Sequence, residues 1–533
     1  MKTISRPGAA AETGAPLPAG APARPALADV TEFGLRRVLI VAGVMAAALM
    51  QTLDSTITNV ALPTIQGNLG ASQDEATWVI TAYVIAAIVV IPLTPWLMNR
   101  FGRRNYFLVS IVGFTLASVL CGTSESLTAL IAARAVQGAF GGGLLTMGQS
   151  IMRDTFPPSQ LAASQGIFAI GAIMGPTLGP PLGGYLVDNF SWNWCFEINI
   201  LPGIFSVIVL LLLLRDPSKA NNRTPIDAVG LALLAAGLAA LQYILTEGEQ
   251  NDWFNDSTIL TIGVICFVSL ATFVWWELTQ TDNPVVDLRI LRNRSVWAGS
   301  VLALSLGVSV FGASYTLPQF TQGSLGYTPT LSGLLFMLRA IPIALATPFA
   351  VRMTGKIDPR YMLGAGFVCA AVGTYLQARI TTPTASFTDF ILPLALNGVG
   401  SALLWIPLSV AVLSSTTPRE GPKAAAFVQL ALQLGGSISV AALAVILHGR
   451  ESFHSEIIGG ALTLANPQVQ QFLTHAPLGL LAQLDYAQSA ILSYADVNYA
   501  IALLSVVCIP LVFLIRPKKA AVAGRVDVEV GHG

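Results

Sequence analysis

Of the 28 acidic residues in this 533-residue chain, Asp54 is the one that lies deep inside a long apolar run; Glu197, Asp227, Glu277 and Asp389 fall at the ends of such runs. An ionised carboxylate at the centre of a bilayer costs several kcal/mol, so it must line water, meet a cation or take a proton. Two cations lie at comparable depth. Asp54 is nine residues from the outer end of its apolar segment and Arg134 seven from the outer end of its own, about 13 and about 10 Å down as helix. The depths match well enough for an ion pair. Such a pair is either a permanent bridge that fixes helix packing or a titrating pair that works during function. Arg339, nine residues from the outer end of its segment, either packs against carbonyls and snorkels or lines a cavity.

These depths have meaning because the composition demands a bilayer. Charged residues are 11% of the chain and hydrophobic ones 54%, whereas roughly a quarter of a soluble protein is charged. Mean hydropathy is +0.67. From Val38 onward, fourteen segments are long enough to cross the hydrocarbon as helices, which predicts an all-α polytopic membrane protein. The expected organisation is a disordered tail over 1–35, six helices over 36–214, two inserted helices with linkers over 215–294, six helices over 295–519 with an outward loop over 448–496, and a second tail over 520–533. The first tail is rich in Ala, Pro and Gly and lacks the apolar core of a signal peptide.

Cationic loops stay cytoplasmic. With the amino terminus inside, 24 of the 28 Lys and Arg fall on the cytoplasmic face, and the opposite face holds Arg379 and Arg450. Both termini are therefore expected inside. The balanced net charge argues against nucleic acid as a partner. Five cysteines without CxxC spacing read as small buried hydrophobes. No P-loop, nucleophile elbow or HExxH helix is present, and the four histidines lie outside the apolar segments, so no intramembrane metal site is expected. Transport is the function class that remains.

TPWLMNRFGRR from Thr94 and TPFAVRMTGK from Thr347 echo each other at an offset of 253 residues, which suggests two related bundles. In the first of these stretches, Gly102 and Arg103 form a short cationic turn; the positive-inside rule explains its charge but not its glycine. The fifth helix carries Gly171, Gly175, Gly179 and Gly183 in one stripe, followed by Gly184. Such a stripe lets another backbone approach closely. Pro176, Pro180 and Pro181 in the same helix would bend it. Tight packing is one consequence, and a surface across which two bundles rock is another. Polar and aromatic residues inside the segments, namely Gln51, Tyr83, Gln137, Tyr315, Gln319, Phe336, Asn397, Trp405, Gln429 and Gln433, are candidates to line a cavity for amphipathic ligands, or else to pack and hydrogen-bond between helices.

With these residues in view, LDSTITNVALP at 53–63 resembles the first-helix signature of the EmrB/QacA-like, 14-helix drug:proton antiporters of the major facilitator superfamily. RAVQG at 134–138 is similar to the superfamily's helix 4 motif, GPTLGPPLGG at 175–184 to its antiporter motif, and PIDAVG near Asp227 and PVVDL near Asp287 to its linking segments. The likeness runs from Val38 to Lys519. It implies a major facilitator fold: two six-helix bundles around a central cavity, with helices 7 and 8 inserted. The implied activity is export of lipophilic or amphipathic compounds by a secondary transporter, not an enzyme, driven by the proton gradient with no other cofactor. Asp54 would take a proton from outside, and Arg134 would hold it anionic in one state and release it in another.

Two departures stand out. Pro95 and Asn99 replace a usual Gly and Asp in the cationic turn, so an ionic lock is expected to be lost there. Glu197 stands where an apolar or aromatic residue is usual, and is either a second proton site near the outer mouth or, the favoured expectation, simply exposed at a helix end. The long outward loop resembles that of relatives which work with a periplasmic adaptor. That implies a Gram-negative inner-membrane pump whose partners are lipid, a small lipophilic substrate, a membrane-fusion adaptor and an outer-membrane channel. A dedicated exporter of a siderophore, secondary metabolite or fatty acid is the rival within the class. A membrane-embedded sensor or enzyme is the rival outside it.

Overall fold

The computed structural model describes residues 34–215, 227–280, 284, 286–417, 420–462, 467–475 and 477–515. The tails expected at 1–35 and 520–533 lie almost wholly outside the described residues, as does most of the linker after Arg215. Among the described residues there is no β-strand. Fourteen helices among the described residues are long and apolar enough to cross a membrane. They are α1 (Leu35–Leu69), α2 (Glu75–Phe101), α3 (Arg103–Gly122), α4 (Leu127–Thr155), α5 (Pro158–Asn189), α6 (Trp194–Leu213), α7 (Ala228–Glu247), α8 (Ser257–Thr279), α9 (Arg294–Ser324), α10 (Thr330–Met353), α11 (Pro359–Ile380), α12 (Phe387–Ser414), α13 (Gly421–Gly460) and α14 (Leu478–Leu514).

Polar residues end these helices where the chain leaves hydrocarbon. Ser72 and Glu75 form a capping box ahead of α2, and Ser126, Asp256, Thr328 and Asp358 each accept a backbone N–H of the helix that follows. Each satisfies a donor that the helix itself leaves orphaned. Gly102 turns α2 into α3 at φ 84°, a conformation that a side chain resists. That accounts for the glycine which sidedness of charge left unexplained.

Helices α1 to α6 pack among themselves, as do α9 to α14. α7 and α8 pair with each other, and α7 leans on α2 and α13. The two groups meet along two seams, α5 against α10 and α12, and α2 and α4 against α13. One end of the molecule carries Arg100, Arg103, Arg153 and Lys423 and is called here the basic end; the other is the far end. At the basic end a single core joins both groups, with Val44, Met147, Ile151 and Phe168 packed together with Leu408, Val412, Ala424 and Val428. At the far end the cores are separate. Leu53, Ile57, Val79, Leu130 and Phe196 belong to one, and Leu317, Phe320, Leu335, Phe390 and Ile491 to the other.

The glycine stripe of α5 is not the surface between the groups. A Cβ on Gly175 would sit 1.9 Å from Thr52 Oγ1, one on Gly179 2.0 Å from Thr56 Oγ1, one on Gly171 2.3 Å from Met45 Cε and one on Gly183 2.9 Å from Ile57 Cγ1. All four glycines therefore face α1, within the same group. The threonines fit because their hydroxyls fold back onto α1 carbonyls, Thr52 onto Ala48 and Thr56 onto Leu53. Lipid is as apolar as the side chains, so close approach of this kind carries much of the packing energy. Contact with the second group comes from another side of α5, where a Cβ on Gly166 would lie 2.4 Å from Val351 and where Pro181 abuts Gly333.

Residues 448–496, read from sequence as a loop, are mostly helical. α13 continues past the expected membrane boundary and α14 begins well before it. Forty residues of helix measure about 60 Å against about 30 Å of hydrocarbon, so the two helices project as a hairpin at the far end. Arg450 and His454 both meet Asp496, and Ser455 donates to Asp485 at 2.8 Å.

Candidate functional site

Asp54 and Arg134 form an ion pair with 2.6 Å between Oδ2 and Nη1, and their side chains are 0% and 1% exposed. Local sequence explains how α4 presents the arginine. Gly138 lets α4 lie so close to α2 that a Cβ there would come within 2.2 Å of the Tyr83 carbonyl. At that distance Arg134 Nε reaches the Val79 carbonyl at 3.0 Å, and its guanidinium stacks 4.2 Å from the Tyr83 ring. Gln137, one turn along, accepts from Arg134 Nη1 at 2.7 Å and donates to Asp54 Oδ1 at 2.9 Å. The arginine, glutamine and glycine of RAVQG thus share one task, which is to hold a carboxylate.

The third donor to Asp54 was not singled out from sequence. Asn199 Nδ2 lies 2.9 Å from Asp54 Oδ1 and 2.9 Å from Ser118 Oγ, which also accepts from Gln137 at 2.8 Å. Asn199 stands where α6 is interrupted, between Trp194–Glu197 and Ile200–Leu213. The signal was an amide opening an otherwise apolar run, two residues beyond the more conspicuous Glu197. Glu197 itself is half-buried beside Gly122. Three side chains thus donate to the buried Asp54 carboxylate, so its acceptor oxygens are met from within the protein. A hydrogen bond to a charged group contributes about 1.5–3 kcal/mol. Asn199→Ala is therefore expected to lower the unfolding temperature of the purified protein measurably, whereas an unchanged melt would show that the other donors compensate.

Several proposed cavity residues have structural partners instead. α4 breaks at the glycines between Gly141 and Leu144, and Gln51 Oε1 accepts the Leu145 amide freed there at 3.1 Å. Asn397 faces α11, where it accepts from Thr374 at 3.2 Å. Phe336 is buried in the far-end core of the second group and Trp405 in the shared core. Gln319 is exposed at the far end of α9, Tyr315 and Gln433 are half-buried, and Arg339 is buried between α10 and α12. Exposed Asn59, one and a half turns beyond Asp54, presents an amide where a lipid-facing residue would be apolar.

At the basic end polar contacts cross between the groups. Arg153 donates to the Thr416 carbonyl at 3.1 Å and its hydroxyl at 3.3 Å, and Gln149 to Ser409 at 3.4 Å. Glu420 orders the same turn; the Thr417 amide and hydroxyl hold its carboxyl below the usual range. Arg103 pairs with Asp154. The ionic contact that exposed Asn99 cannot supply is thus made elsewhere, but within the first group. Arg153→Ala should open this end more often. In a Ser409→Cys background, a thiol reagent is expected to label faster by about tenfold for each 1.4 kcal/mol lost. Equal labelling would leave the shared apolar core as the sole closure.

The family model for the Major Facilitator Superfamily matches residues 44–328 and 299–466. The multidrug export protein EmrB of Escherichia coli (strain K12) is 34% identical over 501 residues, 92% of this chain and 98% of that protein. The fatty acid resistance protein FarB of Neisseria gonorrhoeae is 33% identical over 88% of this chain and 94% of its own. Among solved structures, the human organic anion transporter MFSD10 matches with a TM-score of 0.56 at 16% identity, covering 88% of this chain and 98% of that one, and so shares the fold. Fourteen spans, the helix 4 motif wrapped around a buried carboxylate and these matches place the chain in the major facilitator superfamily, among its EmrB-like multidrug efflux transporters.

Proposed function

We propose that the chain is a secondary active transporter that exports lipophilic or amphipathic compounds in exchange for protons. The observation that carries this is Asp54, a carboxylate enclosed by Arg134, Gln137 and Asn199 at the mid-depth of α1. A group so placed can exist as an anion only while its donors stay, and it takes a proton when they withdraw. One proton moving inward supplies about 2.3 kcal/mol per 100 mV and about 1.4 kcal/mol more per pH unit. No cofactor besides the proton gradient is needed.

The basic end is assigned to the cytoplasm by its cations, with both termini there and the chain in a bacterial inner membrane. The shared core at that end and the separate cores at the other then favour an arrangement closed on the cytoplasmic side, with Pro181 against Gly333 still joining the two groups toward the far end. The projecting α13–α14 hairpin is the natural seat for a periplasmic adaptor that continues the path to an outer-membrane channel. The relative named for fatty acid resistance keeps a dedicated exporter of fatty acids, siderophores or other metabolites as the alternative.

The test is substrate-dependent proton movement in proteoliposomes, run with lipophilic cations, weak acids and siderophores. Proton release coupled to at least one solute is expected. Counterflow of none of them would overturn the reading, and coupling to a single compound would favour the dedicated exporter.

A further inference from the structure

α3 carries a stripe of hydroxyls through a mostly apolar span. Tyr106, Ser110, Phe114 and Ser118 recur every four residues, so they follow one slowly turning face of the helix. That face meets α4. Ser118 Oγ accepts from Gln137 at 2.8 Å, a Cβ on Gly141 would lie 2.9 Å from the Phe114 ring, and one on Gly143 would lie 3.1 Å from the Tyr106 hydroxyl. The stripe begins in the cage around Asp54, since Gln137 and Asn199 each donate to both Ser118 and Asp54. It ends at half-buried Tyr106, in the first turn of α3 at the basic end.

Two hydroxyls along this line have no partner. Ser110 Oγ and Tyr83 Oη are buried without a hydrogen-bond partner among the described residues, in side chains 1% and 4% exposed. A serine or threonine inside a helix often donates to the carbonyl four residues back, as Thr115 does to Ile111 and Thr94 to Val90; Ser110 does not. Tyr83 reaches the stripe from α2 where α3 offers the Phe114 ring instead of a hydroxyl. A Cβ on Gly141 would lie 3.2 Å from Tyr83 Oη, and the Gln51 amide stands beside that phenol. Nearer the basic end, a Cβ on Gly143 would lie 2.9 Å from Thr94 Oγ1 as well as close to Tyr106, and Ser110 stands beside Tyr106. Along this seam α4 places only glycine hydrogens against the oxygens. Buried hydroxyls are nearly always paired, and the partner that fits orphans strung in this way is water, which bonds several such groups at once.

We propose that the first group contains its own proton path, a file of water along Ser118, Tyr83, Ser110, Thr94 and Tyr106 through which protonated Asp54 discharges to the basic end without passing between the two groups. Asp54 is 0% exposed, its three donors belong to the first group, and the shared core closes the way between the groups at the basic end. The carboxyl gives its proton to the first water. Each water or hydroxyl then takes one proton and hands one on, so one proton leaves at Tyr106 and the carboxylate pairs again with Arg134. While paired, the Arg134 guanidinium bonds Asp54 and stacks 4.2 Å from the Tyr83 ring. Its charge there repels a hydrated proton, so the file conducts only once that pair has opened. The direction and purpose of the path rest on the antiport reading; the water file does not.

Two measurements on the full-length protein test it. In detergent, X-ray radiolysis oxidises an aromatic ring where water touches it, so Tyr83 should be oxidised at least about tenfold faster than Phe367, 1% exposed in the second group, because apolar interiors stay dry. In proteoliposomes, the double variant Ser110→Ala with Tyr83→Phe, which keeps the ring against Arg134, and the space-filling Gly143→Ala should each slow solute-driven proton movement by at least about tenfold, less than a positioned proton-transfer group ordinarily contributes because water remains. The slowing should deepen in D2O. Solute counterflow, which needs no proton to leave, should not change, and Ser110→Ala should not lower the unfolding temperature. A dry Tyr83, unchanged proton movement in these variants, or parallel loss of counterflow in the double variant would each overturn the proposal. Tyr83 oxidised in a wild type that moves no protons with any solute sinks antiport and leaves the water file standing. Coupled export with Tyr83 dry sinks this path alone.

Discussion

Asp54→Asn is expected to abolish uphill export while leaving a folded, inserted protein. Asn keeps the shape of Asp and an oxygen for Arg134, and the guanidinium retains Gln137 Oε1 and the Val79 carbonyl as acceptors. What is lost is the only deep acid in the described spans, which is the proton carrier on the antiport reading proposed above. Export against a gradient in proteoliposomes should fall to the rate of empty vesicles, and acidifying the outside should no longer stimulate it. Retained proton-stimulated export would sink the assignment of Asp54.

Arg134→Ala is expected to behave differently, because it leaves the buried Asp54 carboxylate without its cation. Breaking a buried pair from one side costs about 3–5 kcal/mol. The double variant Asp54→Asn with Arg134→Gln should therefore be more stable than Arg134→Ala alone, which a thermal unfolding series would read directly. Arg134→Lys should not restore the wild type, since a single ammonium cannot replace a fork that reaches both Val79 and Asp54.

The second large effect is expected at the α1–α5 contact. Gly175→Ala places its methyl 1.9 Å from Thr52 Oγ1 and 2.6 Å from the backbone nitrogen of Leu53. The helices must separate, and most of the folded protein should be lost from the membrane. Gly179→Ala meets Thr56 Oγ1 at 2.0 Å, but its nearest backbone atom, Ile57 N, is 3.2 Å away. Thr56→Ala should therefore rescue Gly179→Ala, while Thr52→Ala should rescue Gly175→Ala only in part. Yield of monodisperse protein in detergent measures both. Full tolerance of Gly175→Ala would show that α1 and α5 are not held at this distance in the membrane.

Both expectations join residues far apart in the chain, and they show where the sequence was readable. The spans were readable because a bilayer filters composition: a run of about twenty apolar residues has few alternatives in lipid. Asp54 and Arg134 were readable for the same reason in reverse, since charge in such a run is costly and depth follows from counting residues. Asn199 was not readable as part of the site, because an amide near a helix end has many ordinary roles and nothing local says that α6 breaks there. Gln51 and Asn397 looked like cavity residues, but their amides had neighbours to satisfy: a backbone N–H freed by the glycine break in α4, and Thr374 on α11.

The sequence by itself determined that the chain lives in lipid, how many times it crosses, which end is cationic, and that one acid and two arginines lie deep. These follow from one-dimensional quantities, hydropathy and residue count. Only the tertiary structure decided the partners. It gave Asp54 an arginine, a glutamine and an asparagine and Arg339 the hydroxyl of Ser401; it turned the glycine stripe toward α1 and joined the two groups by one core at the basic end. Partnership depends on which helix faces approach, and those are fixed by close packing between segments that a hydropathy profile treats as interchangeable.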